Sequence, residues 1–502
     1  MGHDAASERL TGALTRAVAV LALGAAAGSV ATLVLLHRDI GLAVLCCLIA
    51  PLPVVIRLAQ HKFDPFEPIQ IVALTFIILY ALRPASELIF GLNYFDAQPT
   101  RAGFNGAALI SAVGMLSLYI GYALRAGERV AVRVPSAPSS WDPERSVRFG
   151  IWVLVFCALL TAMFAATVGP STLFHFYVGG RTNTDFQTFL TVSGYVGLGP
   201  YLTIPAAVIF GFAFARLRTF KTLALFLFSL GGAMFFTFPR GDRTYILALV
   251  LPLLVFPYLR KNRRPGGAPV LAALLVAILA MNVLLSTRHQ GSGQSLGKTA
   301  VGAVTHIGTQ LKDFATGVDL GEFSVLELER EAYAAKVNPL TFHPFQTVIS
   351  ALGYPLPRKL VGTKPKAAGQ WVVDRLFPTN TGNRSSFNPA MFGDFYSDWG
   401  WVTIILYDIA IGIVVRFMWE YFRRHATSEG VQIVFAATLP VLVIMVRNSV
   451  VDAFARSLFL SGPLLLCLIV CSRQKMRRMA GYRVRPEFKP PPVAVGPDLK
   501  QT

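Results

Sequence analysis

About twelve apolar runs, each close to twenty residues long, leave this chain one class of fold. A helix needs about 20 mostly apolar residues to cross a bilayer. The runs fall at roughly 17–36, 39–57, 69–90, 105–124, 149–168, 189–214, 220–238, 244–259, 268–286, 400–417, 431–448 and 457–472. They are continuous, whereas the strands of a transmembrane barrel alternate apolar and polar residues, so the barrel is excluded. Charged residues are 15% of the chain, against about 25% in soluble domains. The expected fold is an all-α polytopic membrane protein with about twelve transmembrane helices. The first run carries no convincing small-residue cleavage site and reads as a retained span, not a removed signal peptide.

The formal charge of +19 raises the question of nucleic acid, and its placement answers it. The cations gather in short connections: Arg125, Arg129, Arg133, Arg145 and Arg148 in one, Arg216, Arg218 and Lys221 in another, Arg260, Lys261, Arg263 and Arg264 in a third. Arg416, Arg423 and Arg424 follow span ten, and Arg473, Lys475, Arg477 and Arg478 follow the last. Counted along the spans, all five clusters fall on one side, which the positive-inside rule makes the cytoplasm. Nucleic acid is not an expected partner; membrane lipid is. Both termini are then cytoplasmic, in a multi-pass membrane protein.

The chain divides into nine spans over 1–286, one long polar segment over 287–399, three spans over 400–478, and a Pro-rich basic cytoplasmic tail over 479–502 that reads as disordered. The polar segment is the exception to an otherwise embedded chain. Helices packed side by side are usually joined by two to eight residues, and this connection is far longer. It faces outward, and an integral membrane enzyme would keep its chemistry there. The five cysteines all lie in or beside apolar runs, so no disulfide framework holds the segment. No metal-type spacing of Cys or His appears, and neither a metal nor a cofactor is expected.

With orientation set, the outward-facing arginines become anomalous. They are Arg181 after span five, Arg240 and Arg243 between spans seven and eight, Arg288 after span nine, and Arg384 before span ten; Arg447 and Arg456 flank the last outward turn. An arginine at mid-bilayer costs roughly 2.5–3.5 kcal/mol, less toward the interface. A lipid-linked pyrophosphate would offset this, because guanidinium forks make paired, charge-assisted bonds to phosphate oxygens. The plainer alternative is that each arginine snorkels to headgroups or pairs with Asp242, Asp394, Asp398 or Asp452.

The same segment holds acid–base candidates: His289, His306 and His343, with Asp313, Asp394 and Asp398. His289 adjoins Arg288 at the membrane edge, where a neighbouring cation favours the neutral, basic imidazole. Asp394 and Asp398 are four apart and would share a helical face if span ten began early. Alternatively they supply negative charge to that helix's N-terminus. The Trp399-Gly400-Trp401 group reads as an interfacial aromatic anchor. Arg83 lies within span three and is followed by Pro84.

From His343 to Trp401 the chain resembles the bacterial O-antigen polymerases, or oligosaccharide repeat-unit polymerases (Wzy-type). The pieces that carry the resemblance are Tyr354-Pro355-Leu356-Pro357-Arg358, Lys364-Pro365, Thr381-Gly382-Asn383-Arg384-Ser385-Ser386, Gly393-Asp394-Phe395-Tyr396 and Trp399-Gly400-Trp401. Gly241-Asp242-Arg243 and Asp64-Pro65-Phe66-Glu67-Pro68 match more loosely. Where the family carries glutamate, this chain has Asp394, one methylene shorter.

The resemblance implies a metal-independent glycosyltransferase that joins oligosaccharide repeat units carried on polyprenyl pyrophosphate, on the outer face of the membrane. An acceptor-sugar hydroxyl attacks the anomeric carbon of the growing chain, and polyprenyl pyrophosphate leaves. Arg288, Arg384, Arg243, Arg240 and Arg181 would hold pyrophosphate, and His289 or Asp394 would accept the hydroxyl proton. A chain-length regulator or flippase partner is a family expectation. Two alternatives stand beside this: an O-antigen ligase or other lipid-linked-sugar glycosyltransferase, and a polytopic transporter or lipid-linked-sugar flippase. The transporter reading requires ionisable residues buried mid-span, and the absence of an internal repeat counts against it.

Overall fold

The computed structural model describes residues 35, 37–90, 101–135, 141–173, 194–237, 243–261, 263–265, 323, 326–330, 342–353 and 390–471. Among these the regular structure is helical. Eight helices are long and apolar enough to span a bilayer. They are α3 (Pro68–Phe90), α4 (from Arg101 to Ala123), α6 (Pro143–Val168), α7 (Gly199–Leu217), α8 (Phe220–Thr237), α12 (Trp401–Arg424), α13 (Glu429–Arg447) and the continuous stretch Ala453–Cys471. This last comprises α14 (Val450–Leu460) and α15 (Gly462–Cys471). The run at 39–57 becomes two helices, α1 (Arg38–Ile49) and α2 (Leu52–Ala59), bent by 44°. Pro51 and Pro53 sit at that bend, where proline's missing N–H interrupts the helical ladder. The run at 244–259 is the shorter apolar helix α9 (Arg243–Arg260), and a short helix, α5 (Ala126–Arg133), follows α4. The runs at 17–36 and 268–286 lie outside the described residues. The chain is a multi-pass helical membrane protein.

Helix starts follow local chemistry. Asp142 caps α6 by accepting from the Glu144 and Arg145 amides at 3.0 and 3.2 Å, with Pro143 in the first turn. Ser428 caps α13 through the Val431 amide. Within α3, residues Ile77–Leu82 form a wider π-helical stretch ahead of Arg83.

Burial sorts the spans into layers. α3, α4, α7 and α13 are largely enclosed, while α6, α8 and α12 turn most of their surface outward. The tightest packing joins α4 and α12, which run parallel: Gly114 lies beside Asp408, Gly121 beside Ile409, and Gly412 beside Leu118 and Tyr122, and Gly127 of the following α5 lies beside Ile413. A β-carbon added at Gly121 or Gly412 would collide with the facing backbone carbonyl, of Ile409 and Leu118 respectively. Small residues permit this approach, and in lipid, close packing is a main source of helix association.

One end of the bundle is laced by ion pairs. Glu67, almost fully buried, takes Arg57 at 2.6 Å and the Tyr122 hydroxyl at 2.5 Å. Arg264 meets Asp64 at 2.6 Å, Arg416 meets Glu420 at 2.7 Å, and Arg260 reaches Glu429 at 3.8 Å. Arg424 lies 3.6 Å from Glu128. Three of the sequence's basic clusters therefore gather at a single end, and the Asp142 amide bonded to the Cys471 carbonyl brings the starts of α6 and the end of α15 together.

Candidate functional site

The opposite end carries the buried charge. The segment Gly393–Asp398 belongs to neither a loop nor the start of span ten. It lies in a separate helix, α11 (Ala390–Trp399), and the chain reverses at Gly400 (φ +60°) before α12 begins at Trp401. Span ten therefore does not begin early. The two aspartates do share a helical face, on α11 instead of α12. The Thr403 hydroxyl closes the hairpin, donating to the Phe395 carbonyl at 2.5 Å and accepting from the Trp399 amide at 3.1 Å. Phe395 meets Tyr407 edge to face, and Phe392 stacks on Phe76 of α3 at 5.4 Å and abuts Tyr80. The N-terminus of α11 is thus inside the bundle, level with Gly114 and Asp408.

Asp394 and Asp398 are both fully buried, and they have different surroundings. Asp398 caps a further helix, α10 (Gln346–Gly353): its carboxylate accepts from the Thr347 amide at 3.0 and 3.2 Å and from the Thr347 hydroxyl at 2.9 Å. The Thr347 hydroxyl also reaches the Asp394 carbonyl, and the His343 amide donates to the Ser397 carbonyl at 3.2 Å. Burial pushes the Asp398 carboxyl up to about 6, against the opposing pull of the Thr347 bonds and Tyr407. Asp398 is thereby a clamp between α10 and α11, not the N-terminal charge of span ten.

Asp394 has a second carboxyl beside it. Glu329, from residues 326–330, is fully buried, and neither of its oxygens has a hydrogen-bond partner among the described residues. Burial, then the charge of Asp394, raises its pKa well above the ordinary carboxylate value. Two neighbouring carboxyls in a dry site cannot both ionise readily, and burial together with the charge of Asp394 favours the protonated form of Glu329. Arg330 lies next to it. Its stem occupies the space that the missing side chain of Gly106 leaves on α4, and its guanidinium carbon is 5.8 Å from the Tyr396 ring centroid. Burial raises the Tyr396 phenol, Arg330 opposing and Glu329 reinforcing that shift.

The neighbouring shell is charged too. Arg83 is fully buried, 3.8 Å from Glu87, and Glu327 faces Glu87. Phe323 anchors this piece edge to face on Phe104 of α4. Phe323 and residues 326–330 thus dock on α3, α4 and α11, bringing together Arg83, Glu87, Glu327, Glu329, Arg330 and Asp394. Among the described residues no group of His, Cys, Asp and Glu has the arrangement of a metal site.

Of the sequence candidates, Asp394 lies in this cluster. Arg243 opens α9, two residues from Tyr245, whose ring is stacked on Tyr201 at 4.0 Å and lies 5.1 Å beneath the Arg456 guanidinium. His289, Arg288, Arg384, Arg240 and Arg181 lie outside the described residues. Glu327, Glu329 and Arg330 were not among the candidates. The available signal was the run Glu327-Leu328-Glu329-Arg330-Glu331, charges interleaved with an apolar residue shortly after Phe323 and Leu326. A solvated loop has no need for that interleaving.

No known family, characterised protein or solved structure matches the chain.

Proposed function

We propose that the chain is an integral membrane glycosyltransferase that polymerises oligosaccharide repeat units carried on polyprenyl pyrophosphate, acting on the outer face of a bacterial cytoplasmic membrane. The observation that carries the reading is the buried Glu329–Asp394 pair with Arg330, at the end opposite the ion-paired basic clusters. The positive-inside rule makes the basic end cytoplasmic, so the pair faces outward.

Glycosyl transfer needs an acceptor for the attacking hydroxyl's proton and donors for the departing pyrophosphate. A pair of titratable groups whose surroundings push their protonation apart assigns such roles. Asp394 is the base: it takes the proton of the acceptor hydroxyl as that oxygen bonds to the anomeric carbon and the bond from carbon to pyrophosphate oxygen breaks. Glu329, holding its proton, and Arg330 are donors to the pyrophosphate oxygens as negative charge develops there. Arg456, with the candidate arginines Arg243, Arg288, Arg384, Arg240 and Arg181, is a further cation such a substrate would meet. Asp398 positions α10 and does no chemistry.

The test is glycan length in the native host with Asp394→Asn and Arg330→Ala, after membrane levels are matched to wild type. Losing the base lowers rate by about 10²–10⁴-fold, so long polysaccharide should collapse to single repeat units. Polymer accumulating on the carrier while acceptors go unglycosylated would favour ligation instead. Unchanged glycans in both variants would remove the reading.

One observation favours a transporter as the second reading. Asp408, inside α12, is fully buried with neither carboxyl oxygen hydrogen-bonded among the described residues, and ionisable groups within spans commonly mark transport pathways. Flux of a lipid-linked sugar across proteoliposomes, abolished by Asp408→Asn but indifferent to Asp394→Asn, would establish it.

A further inference from the structure

Helix α10 is built inside out for a segment in water. Its small and polar residues, Thr347, Ser350 and Gly353, face inward on α11, while Phe345, Val348, Ile349 and Leu352 point away from the protein. Val348, Ile349 and Leu352 lie on one side of the helix and are 42%, 51% and 63% exposed, and Phe345, which precedes the first helical residue with φ +64°, is 54% exposed. A helix packed on a soluble core shows the reverse pattern, apolar stripe inward and polar face outward. In a bilayer the pattern of α10 is the ordinary one: apolar side chains toward lipid, small and polar residues toward protein.

The surroundings say which solvent covers this face. Phe342, just ahead of α10, rests on Gly400 and meets Tyr396 edge to face, and Tyr396 in turn meets Trp401. The start of α10 is therefore level with the Trp399 and Trp401 pair, the kind of aromatic anchor that marks a membrane interface. Beyond that level α12 exposes Val402, Ile405 and Leu406, and α14, against which α10 packs, exposes Phe454 and Leu458.

We propose that α10 is seated in the outer leaflet, its Val348–Ile349–Leu352 face and the preceding Phe345 against lipid acyl chains, so that part of the long polar connection is a membrane-contacting element. The Asp398 clamp then fixes a lipid-seated helix to the hairpin that carries Asp394. An amphipathic helix at an interface binds in proportion to its buried apolar area, and α10 adds the docking on α11 and α14 to that attraction.

The test uses the full chain in liposomes, with nitroxides on single cysteines at Val348, Ile349 and Leu352 in a background where the five native cysteines are replaced. Leu406→Cys serves as the lipid reference. Collision with oxygen, which concentrates in acyl chains, should match that reference at all three sites. Collision with a water-soluble nickel chelate should fall to the reference level. Nickel access typical of a water-exposed site would overturn the proposal. So would protection from both quenchers, the signature of a face covered by another protein. Three sites are read so that one poorly folding variant does not decide the outcome, and none of the readings depends on the enzymatic reaction.

Discussion

At the scale of single residues, the two aspartates of α11 show how burial divides like groups between unlike tasks. Asp398 sits in a cage of Thr347 donors, yet burial still lifts its carboxyl to about 6, from an ordinary value of about 3.9. The folded chain therefore binds more protons than the unfolded one between those values. The contribution of Asp398 to stability is largest below about pH 4 and is lost as pH rises to about 6. Thermal unfolding in detergent should show that decline in wild type, and Asp398→Asn, which still accepts from Thr347, should remove it from the difference between the two proteins. Asp398→Ala should lose the cap at every pH, at a cost of about 1 kcal/mol. A pH dependence identical in wild type and Asp398→Asn would mean that another group titrates. Asp394 was visible in the sequence because it belongs to a recognisable string of residues. Glu329 and Arg330 were not, because their burial comes from docking on α4, a helix more than 200 positions away in the chain.

At the scale of elements, what was legible was what is long. Apolar runs of full membrane length located α3, α4, α8 and α13 to within a few residues, because a span's length requirement is stringent. By contrast, α6 begins before its run and α12 continues past its run into the charged residues that end it. Helices α10 and α11, eight and ten residues long, escape any criterion based on length. The break between α11 and α12 rests on one residue, Gly400, whose φ of +60° other residues adopt at a cost. The α4–α12 seam was equally hidden, since a glycine in an apolar run says nothing about what it faces. The seam carries its own prediction. Gly412→Val places two methyl groups where the Leu118 carbonyl lies, and overpacking of this kind costs about 1–3 kcal/mol. A lower unfolding temperature is expected for Gly412→Val, with little change for Gly231→Val, where the added carbon meets open space. Equal losses at the two positions would indicate helix propensity and not packing.

At the scale of the molecule, the polarity of charge is the organising fact. Ion pairs tie α2, α3, α5, α9, α12 and α13 together at one end. Each exposed pair adds only about 0–1 kcal/mol, so their weight lies in fixing which helix ends are neighbours. The parallel course of α4 and α12 agrees with an even number of crossings between their starts. The expected topology follows: a reporter active only outside the cytoplasm stays silent when fused after Arg133 or Arg424, and is active when fused after Asn448. Activity after Arg133 would invert the whole arrangement and turn the Glu329–Asp394 pair inward.

The π-helical stretch of α3 has a consequence for lineage. A π turn accommodates one residue more than an α turn, and each residue of a helix advances the side-chain direction by about 100°. Arg83, one position past Ile77–Leu82, is fully buried. A descendant or ancestor of this gene that ran one codon short between Phe76 and Arg83 would turn the guanidinium off the Glu87 side of the bundle and toward a neighbouring face. Among relatives of this chain, the length of this stretch and the identity of position 83 should therefore change together.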